Sequence, residues 1–93
     1  MTEADAAYDV EWASPALRAL DRIPEKVATA VVELVYGRLC MDPRRVGRPL
    51  RFELEGLYSA RRGDYRIVYA IDDERATVVI ETIAHRSDVY RRR

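Results

Sequence analysis

Along Tyr8–Trp12 (YDVEW) aromatic or apolar side chains alternate one for one with acidic ones, the period of a strand with one buried face. Ser14-Pro15 then supplies an N-cap followed by proline at the first helical position. Leu17, Leu20 and Ile23 recur at helical spacing until Pro24 interrupts. A second helix is predicted from Glu25 to Leu39, with Val27, Val31, Leu34 and Val35 as its apolar stripe. The two helices read as an antiparallel hairpin packed by those apolar residues. Asp42–Leu50 (DPRRVGRPL) holds two prolines, a glycine and three arginines, and its composition predicts a loop.

From Leu57 onward the period changes from helical to strand-like. Strands are predicted over Leu57–Arg62, Tyr65–Asp72 and Thr77–His85. Gly63-Asp64 suits a tight two-residue hairpin turn, and Asp73–Ala76 a longer one. The order β-α-α-β-β-β predicts an α+β fold, with the helical hairpin on one face of a mainly antiparallel sheet. Its 93 residues form a single domain, 1–93, with 1–7 and 91–93 expected as flexible ends.

If Gly63 and Asp64 are the turn residues, Arg62 pairs with Tyr65, Arg61 with Arg66, Ala60 with Ile67, Ser59 with Val68 and Tyr58 with Tyr69. Tyr58, Ala60, Tyr65, Ile67, Tyr69 and Ile71 then share an apolar face toward the helices. Ser59, Arg61 and Arg66 share the other face. Pairing Asp72 with Thr77 places Arg66 opposite Ile83 and adds Val79, Glu81, Ile83 and His85 to the arginine face. A slip of one residue would turn His85 to the core side. Two opposed arginines repel. Either a bound anion or an Arg66–Glu81 ion pair compensates, and the two readings are compatible.

Charge changes this picture once it is placed along the chain. Sixteen basic and sixteen acidic residues cancel. Residues 1–37 nevertheless hold three basic side chains against seven acidic ones (−4), and residues 38–93 hold thirteen against nine (+4). A local basic face matters more to a polyanionic partner than the total does. Fifteen of the basic residues are arginines, whose planar fork matches phosphate oxygens. No run approaches the length of a membrane span, and MTEADAAYDVEW lacks the basic and apolar regions of a signal peptide. One cysteine, Cys40, excludes an internal disulfide and fits a reducing, cytoplasmic setting. With a single histidine it leaves too few soft ligands for a zinc site, so neither metal nor cofactor is expected.

The tail brings His85, Arg86 and Tyr90 within six residues, and Ser87–Tyr90 is positioned to fold back across the arginine face. Neither a Ser-His-Asp set nor a phosphate-cradling glycine loop is present, and no paired carboxylates fall on a predicted face. Arginine, histidine and tyrosine form an inventory for metal-free RNA cleavage. The substrate's 2′-OH is the nucleophile, arginines hold the phosphate and its extra transition-state charge, and Tyr or His moves protons. DNA lacks that hydroxyl, so such a site selects RNA.

The strand–helix–helix opening, PLRFELEGLYSARRGDYRIVYAID and the closing IAHRSDVYRR together resemble the RelE/ParE toxin superfamily, and within it the RelE-like branch with an actinobacterial look. The resemblance spans residues 8–92. It implies a toxin of a type II toxin–antitoxin pair that cleaves messenger RNA in the ribosomal A site and leaves a 2′,3′-cyclic phosphate. The implied partners are a cognate RelB-like antitoxin, the ribosome and mRNA, with operator DNA bound only through the antitoxin complex and no membrane. It implies that the antitoxin wraps the toxin and displaces or covers its C-terminal segment. Carried over by motif, Arg61, Arg66, Arg86, Tyr90 and neighbouring His85 stabilise the scissile phosphate or transfer protons. The family pattern has lysines at the positions of Ser59 and Arg61, and a longer spacing between the last arginine and the tyrosine. Arg44, Arg45, Arg48, Arg51, Ser59 and Arg62 are expected to contact RNA or the ribosome. A ParE-like DNA gyrase inhibitor without nuclease activity is the alternative, and a non-catalytic member that only binds antitoxin or RNA is a third reading.

Overall fold

The computed structural model describes residues 7–89, with the backbone alone for Asp88 and Val89. The expected flexible ends fall outside this range, apart from exposed Ala7. β1 (Asp9–Trp12) leads into α1 (Ser14–Arg22) and α2 (Glu25–Leu34). A single π-helical turn, Val35–Leu39, extends α2 to the predicted end. Next come α3 (Pro43–Val46), β2 (Arg48–Pro49), a 3₁₀ turn at Phe52–Leu54, then β3 (Leu57–Arg62), β4 (Tyr65–Asp72), β5 (Thr77–His85) and α4 (Arg86–Val89). The three long strands have the predicted limits. Ser14 is already helical and makes no capping hydrogen bond, because the residue before the helix is Ala13.

The five strands form one sheet in the order β1-β5-β4-β3-β2. Only β1 runs parallel to its neighbour, pairing Asp9 with Thr77 and Trp12 with Ile80. The β3–β4 register is the predicted one, from Arg62 opposite Tyr65 to Tyr58 opposite Tyr69. Gly63, at φ 61°, supplies the left-handed residue that starts the turn. The core joins this sheet face to the helices: Ala60, Ile67, Tyr69, Val78, Ile80 and Ile83 meet Ala16, Ala19, Val31, Val35 and Leu39.

Two further sequence expectations are corrected. A bulge shifts the β4–β5 register between Val68 and Tyr69, so Val68 faces Thr82 while Tyr69 faces Ile80. Glu81 is the extra residue. Arg66 therefore opposes Ala84, not Ile83. Ile83 and His85 move to the core side: Ile83 is buried, and His85 meets the Tyr65 ring edge-on at 5.1 Å. Val79 keeps the expected side.

The other correction is Asp42–Leu50, which is not a plain loop. Pro43 starts a helical turn, and Arg48 and Pro49 add a short edge strand opposite Ser59 and Tyr58. The buried Tyr69 hydroxyl anchors this segment by donating to Pro43 O at 2.5 Å. Gly47 passes so close that a methyl group there would overlap the Tyr69 hydroxyl and stand 2.9 Å from Ser59 O.

Burial pushes the Tyr69 phenol up to about 12 from an ordinary 10.0, against the Gly47 backbone hydrogen bond, which pulls it down. Between these values the unfolded chain releases its proton and the folded chain keeps it. The phenol's contribution is thus whole below pH 10 and declines as pH rises toward 12, by about 1.4 kcal/mol per unit. Tyr69→Phe should flatten that decline in urea titrations. It should also lose about 1–2 kcal/mol at neutral pH, because Pro43 O is left buried without its donor. Gly47→Ala should cost about 1–3 kcal/mol in the same measurement.

Candidate nucleic-acid interface

On the sheet face away from α1 and α2, β3 and β4 present Ser59, Arg61 and Arg66 side by side, because every second residue of a strand points the same way. The α3–β2 segment walls this surface. Val46, Arg48, Pro49 and Leu50 complete a cleft of about 570 Å³ with Ser59, Arg61 and Arg66. Three arginines line it, and no carboxylate is among the lining residues. Arg48 sits opposite Ser59, and Arg61 opposite Arg66. Arg48 and Arg61 are exposed, whereas Arg66 is half-buried with its Nε shielded from solvent. Ser59 Oγ is buried and makes no hydrogen bond among the described residues. Such a cleft can hold a phosphodiester, and desolvation at Arg66 strengthens its pull on an anion.

The remaining sequence candidates are distributed around this centre. Arg86 leads α4 beside the β3–β4 turn: its backbone N–H donates to Asp64 O at 2.7 Å, and its Nε lies 3.8 Å from the Asp64 carboxylate. His85 exchanges a 2.9 Å hydrogen bond with Ser87 Oγ and leans on Tyr65, so the bulge separates it from the Arg61–Arg66 face. Tyr90 lies outside the described residues. Arg62 borders a groove of about 270 Å³ against α2, with Lys26, Val27 and Tyr65. Arg51 is exposed just past the cleft wall.

Arg44 is committed elsewhere. It bonds Asp73 through both terminal nitrogens, at 2.7 and 3.2 Å, and Tyr8 donates to the same carboxylate at 2.9 Å. Arg44 and then Tyr8 hold the Asp73 carboxyl below its usual range. This cluster is at the β4–β5 turn, the opposite end of β4 from Arg66. Arg45 is exposed and lies 3.9 Å from Asp42. Sequence reasoning missed Val46, Pro49 and Leu50 as cleft walls. The only signal was a Pro-Leu step before the turn, too short to show a period. Among the described residues, no group of three or more His, Cys, Asp or Glu is placed to hold a metal ion.

A sequence model described as "ParE toxin of type II toxin-antitoxin system, parDE" matches residues 10–90. This chain belongs to the RelE/ParE family of type II toxins. It is 52% identical to Toxin RelG of Mycobacterium tuberculosis over 85 residues, 91% of this chain and 98% of that protein. It is 56% identical to Toxin RelE of the same organism over 87 residues, 94% of this chain and 90% of that protein. Both relatives carry RelE-type names, which favours the RelE-like branch over the ParE-like alternative. The crystal structure of the toxin–antitoxin complex RelBE2 from M. tuberculosis superposes with a TM-score of 0.83 at 49% identity, covering 89% of this chain and 95% of that one. The isolated E. coli RelE toxin shares the fold, with a TM-score of 0.72 at 21% identity, covering 90% of this chain and 92% of that one. No helix among the described residues is long and apolar enough to cross a membrane.

If the cleft takes phosphates, removing one of its cations changes salt dependence as well as affinity. Arg61→Ala should lower the slope of log K against log salt for single-stranded RNA by about 0.7, the value for one lost phosphate contact. Arg44→Ala should leave that slope unchanged. Fluorescence-anisotropy titrations over a range of potassium chloride concentrations measure both.

Proposed function

We propose that this chain is a metal-independent endoribonuclease that cuts messenger RNA in the ribosomal A site. The cleft formed by Arg48, Arg61 and Arg66 without a lining carboxylate carries this reading. The scissile phosphate sits among these guanidinium groups. The adjacent 2′-OH attacks phosphorus, the 5′-oxygen leaves, and the products are a 2′,3′-cyclic phosphate and a 5′-hydroxyl. Arg61 and Arg66 offset the additional charge of the pentacoordinate transition state, and Arg86 joins them on leaving Asp64. Proton transfer falls to Tyr90, the position supplied by family resemblance, since His85 is turned toward Tyr65. A tyrosine needs nearby cations to act as a base near neutral pH.

Arg48 and Arg51 belong to the RNA contact surface, with Ser59 inside the cleft and Arg62 at its margin. Arg44 and Arg45 reach ribosomal RNA only if they leave Asp73 and Asp42. The cytoplasm, where ribosomes are, is the proposed site of action. A RelB-like antitoxin is the proposed partner, supported by the RelBE2 complex that this chain resembles at 49% identity. Operator DNA would be reached through that complex.

Primer extension on a cellular message after induction tests the reading. Cuts phased to the A site are expected from the wild type. Arg66→Ala should reduce them by roughly 100-fold or more, and Tyr90→Phe should do so without loss of RNA affinity. Growth arrest with translation intact and no phased cuts would overturn it.

A further inference from the structure

The loop from β2 to β3 carries a phenylalanine in a position that the fold does not call for. Phe52 is 87% exposed, the most exposed large hydrophobic residue among those described. Its backbone lies in the left-handed region, at φ 60°, which a bulky side chain occupies only at a cost. Burial does not compensate, so the ring contributes little to folding. It follows the cleft wall closely along the chain. Leu50, two residues earlier, lines the cleft, and its N–H donates to Leu57 O at 2.8 Å to close the hairpin stem. Phe52 lies in the loop that this stem closes.

The chemistry around the ring narrows what it can meet. Arg51, Glu53 and Glu55 are all exposed. Two carboxylates against one guanidinium disfavour a phosphate in this loop, while the cleft favours one. A nucleotide matches this division, with its phosphate at the cations and its base at the aromatic ring. Base–aromatic stacking does not depend on net charge, and a carboxylate accepts hydrogen bonds from amino groups on base edges.

We propose that Phe52 is a stacking platform for an unpaired nucleobase of the RNA whose phosphate occupies the Arg48–Arg61–Arg66 cleft, and that it sets the sequence preference of cleavage. This inference rests on the endoribonuclease reading above.

The test compares wild type, Phe52→Trp, Phe52→Leu and Phe52→Gly in a translating system. Cut sites are mapped across many codons, and each variant is also followed by thermal unfolding and by titration with the cognate antitoxin. Tryptophan should keep cleavage within about twofold, because its ring also stacks. Leucine and glycine should lose roughly 5- to 100-fold, unequally between codons, so that their ranking changes. Phe52→Gly should unfold a few degrees higher than wild type, since glycine takes a positive φ without strain. A residue kept for folding would show the reverse. Leucine and glycine variants that cut every codon at the wild-type rate would overturn the inference and leave the endoribonuclease reading standing. If they also bound antitoxin more weakly, the ring would belong to that interface. A wild type without phased cuts would overturn both.

Discussion

The position of the α3–β2 segment depends on one buried hydroxyl. Tyr69 belongs to the central β4 strand and is fully enclosed, with its ring stacked on Tyr58 at 5.7 Å. Its hydroxyl reaches out of the apolar layer to Pro43 O. A buried phenol without a partner would be costly, so the core and the edge segment constrain each other. Gly47 permits the close approach that this contact needs, and directly after it Arg48 falls into register beside Ser59. One wall of the cleft is therefore positioned from the core outward.

The opposite wall is under a different constraint. Placing Arg61 across from Arg66 concentrates charge that a sheet would ordinarily disperse. Proteins retain such a cost where function uses it. Here both arginines line an open cleft. Arg44 has its charge matched by Asp73, as Arg75 does by Glu11 at 2.7 Å. The acidic first half of the sequence thus supplies one of the counterions at the turn end of the sheet. The cleft at the other end has only cations among its charged lining residues.

Most of the architecture was legible in the sequence because its signals are local and repeated. Gly63-Asp64 leaves two turn residues, and those two fix every pair from Arg62–Tyr65 to Tyr58–Tyr69. The shared face of Ser59, Arg61 and Arg66 followed directly. The bulge at Glu81 escaped notice because TVVIETIAH alternates imperfectly in either register, and one inserted residue leaves no mark in composition. His85 was misplaced as a direct result. Arg48-Pro49 was not read as a strand because two residues cannot display a period and proline argues against a ladder. The placement of Arg44 at Asp73 depends on a contact between distant segments, which charge counting does not reveal.

The parallel pairing of β1 with β5 has a consequence in time. Among the described elements β1 is synthesised first, and its partner, from Thr77 onward, after all the other strands. The sheet cannot be completed before β5 has been made, and contacts between such distant segments form slowly once they are possible. Val10 and Trp12, which pack on the core through β1, have no strand to join until then. A nascent copy therefore lacks its finished scaffold until β5 has left the ribosome.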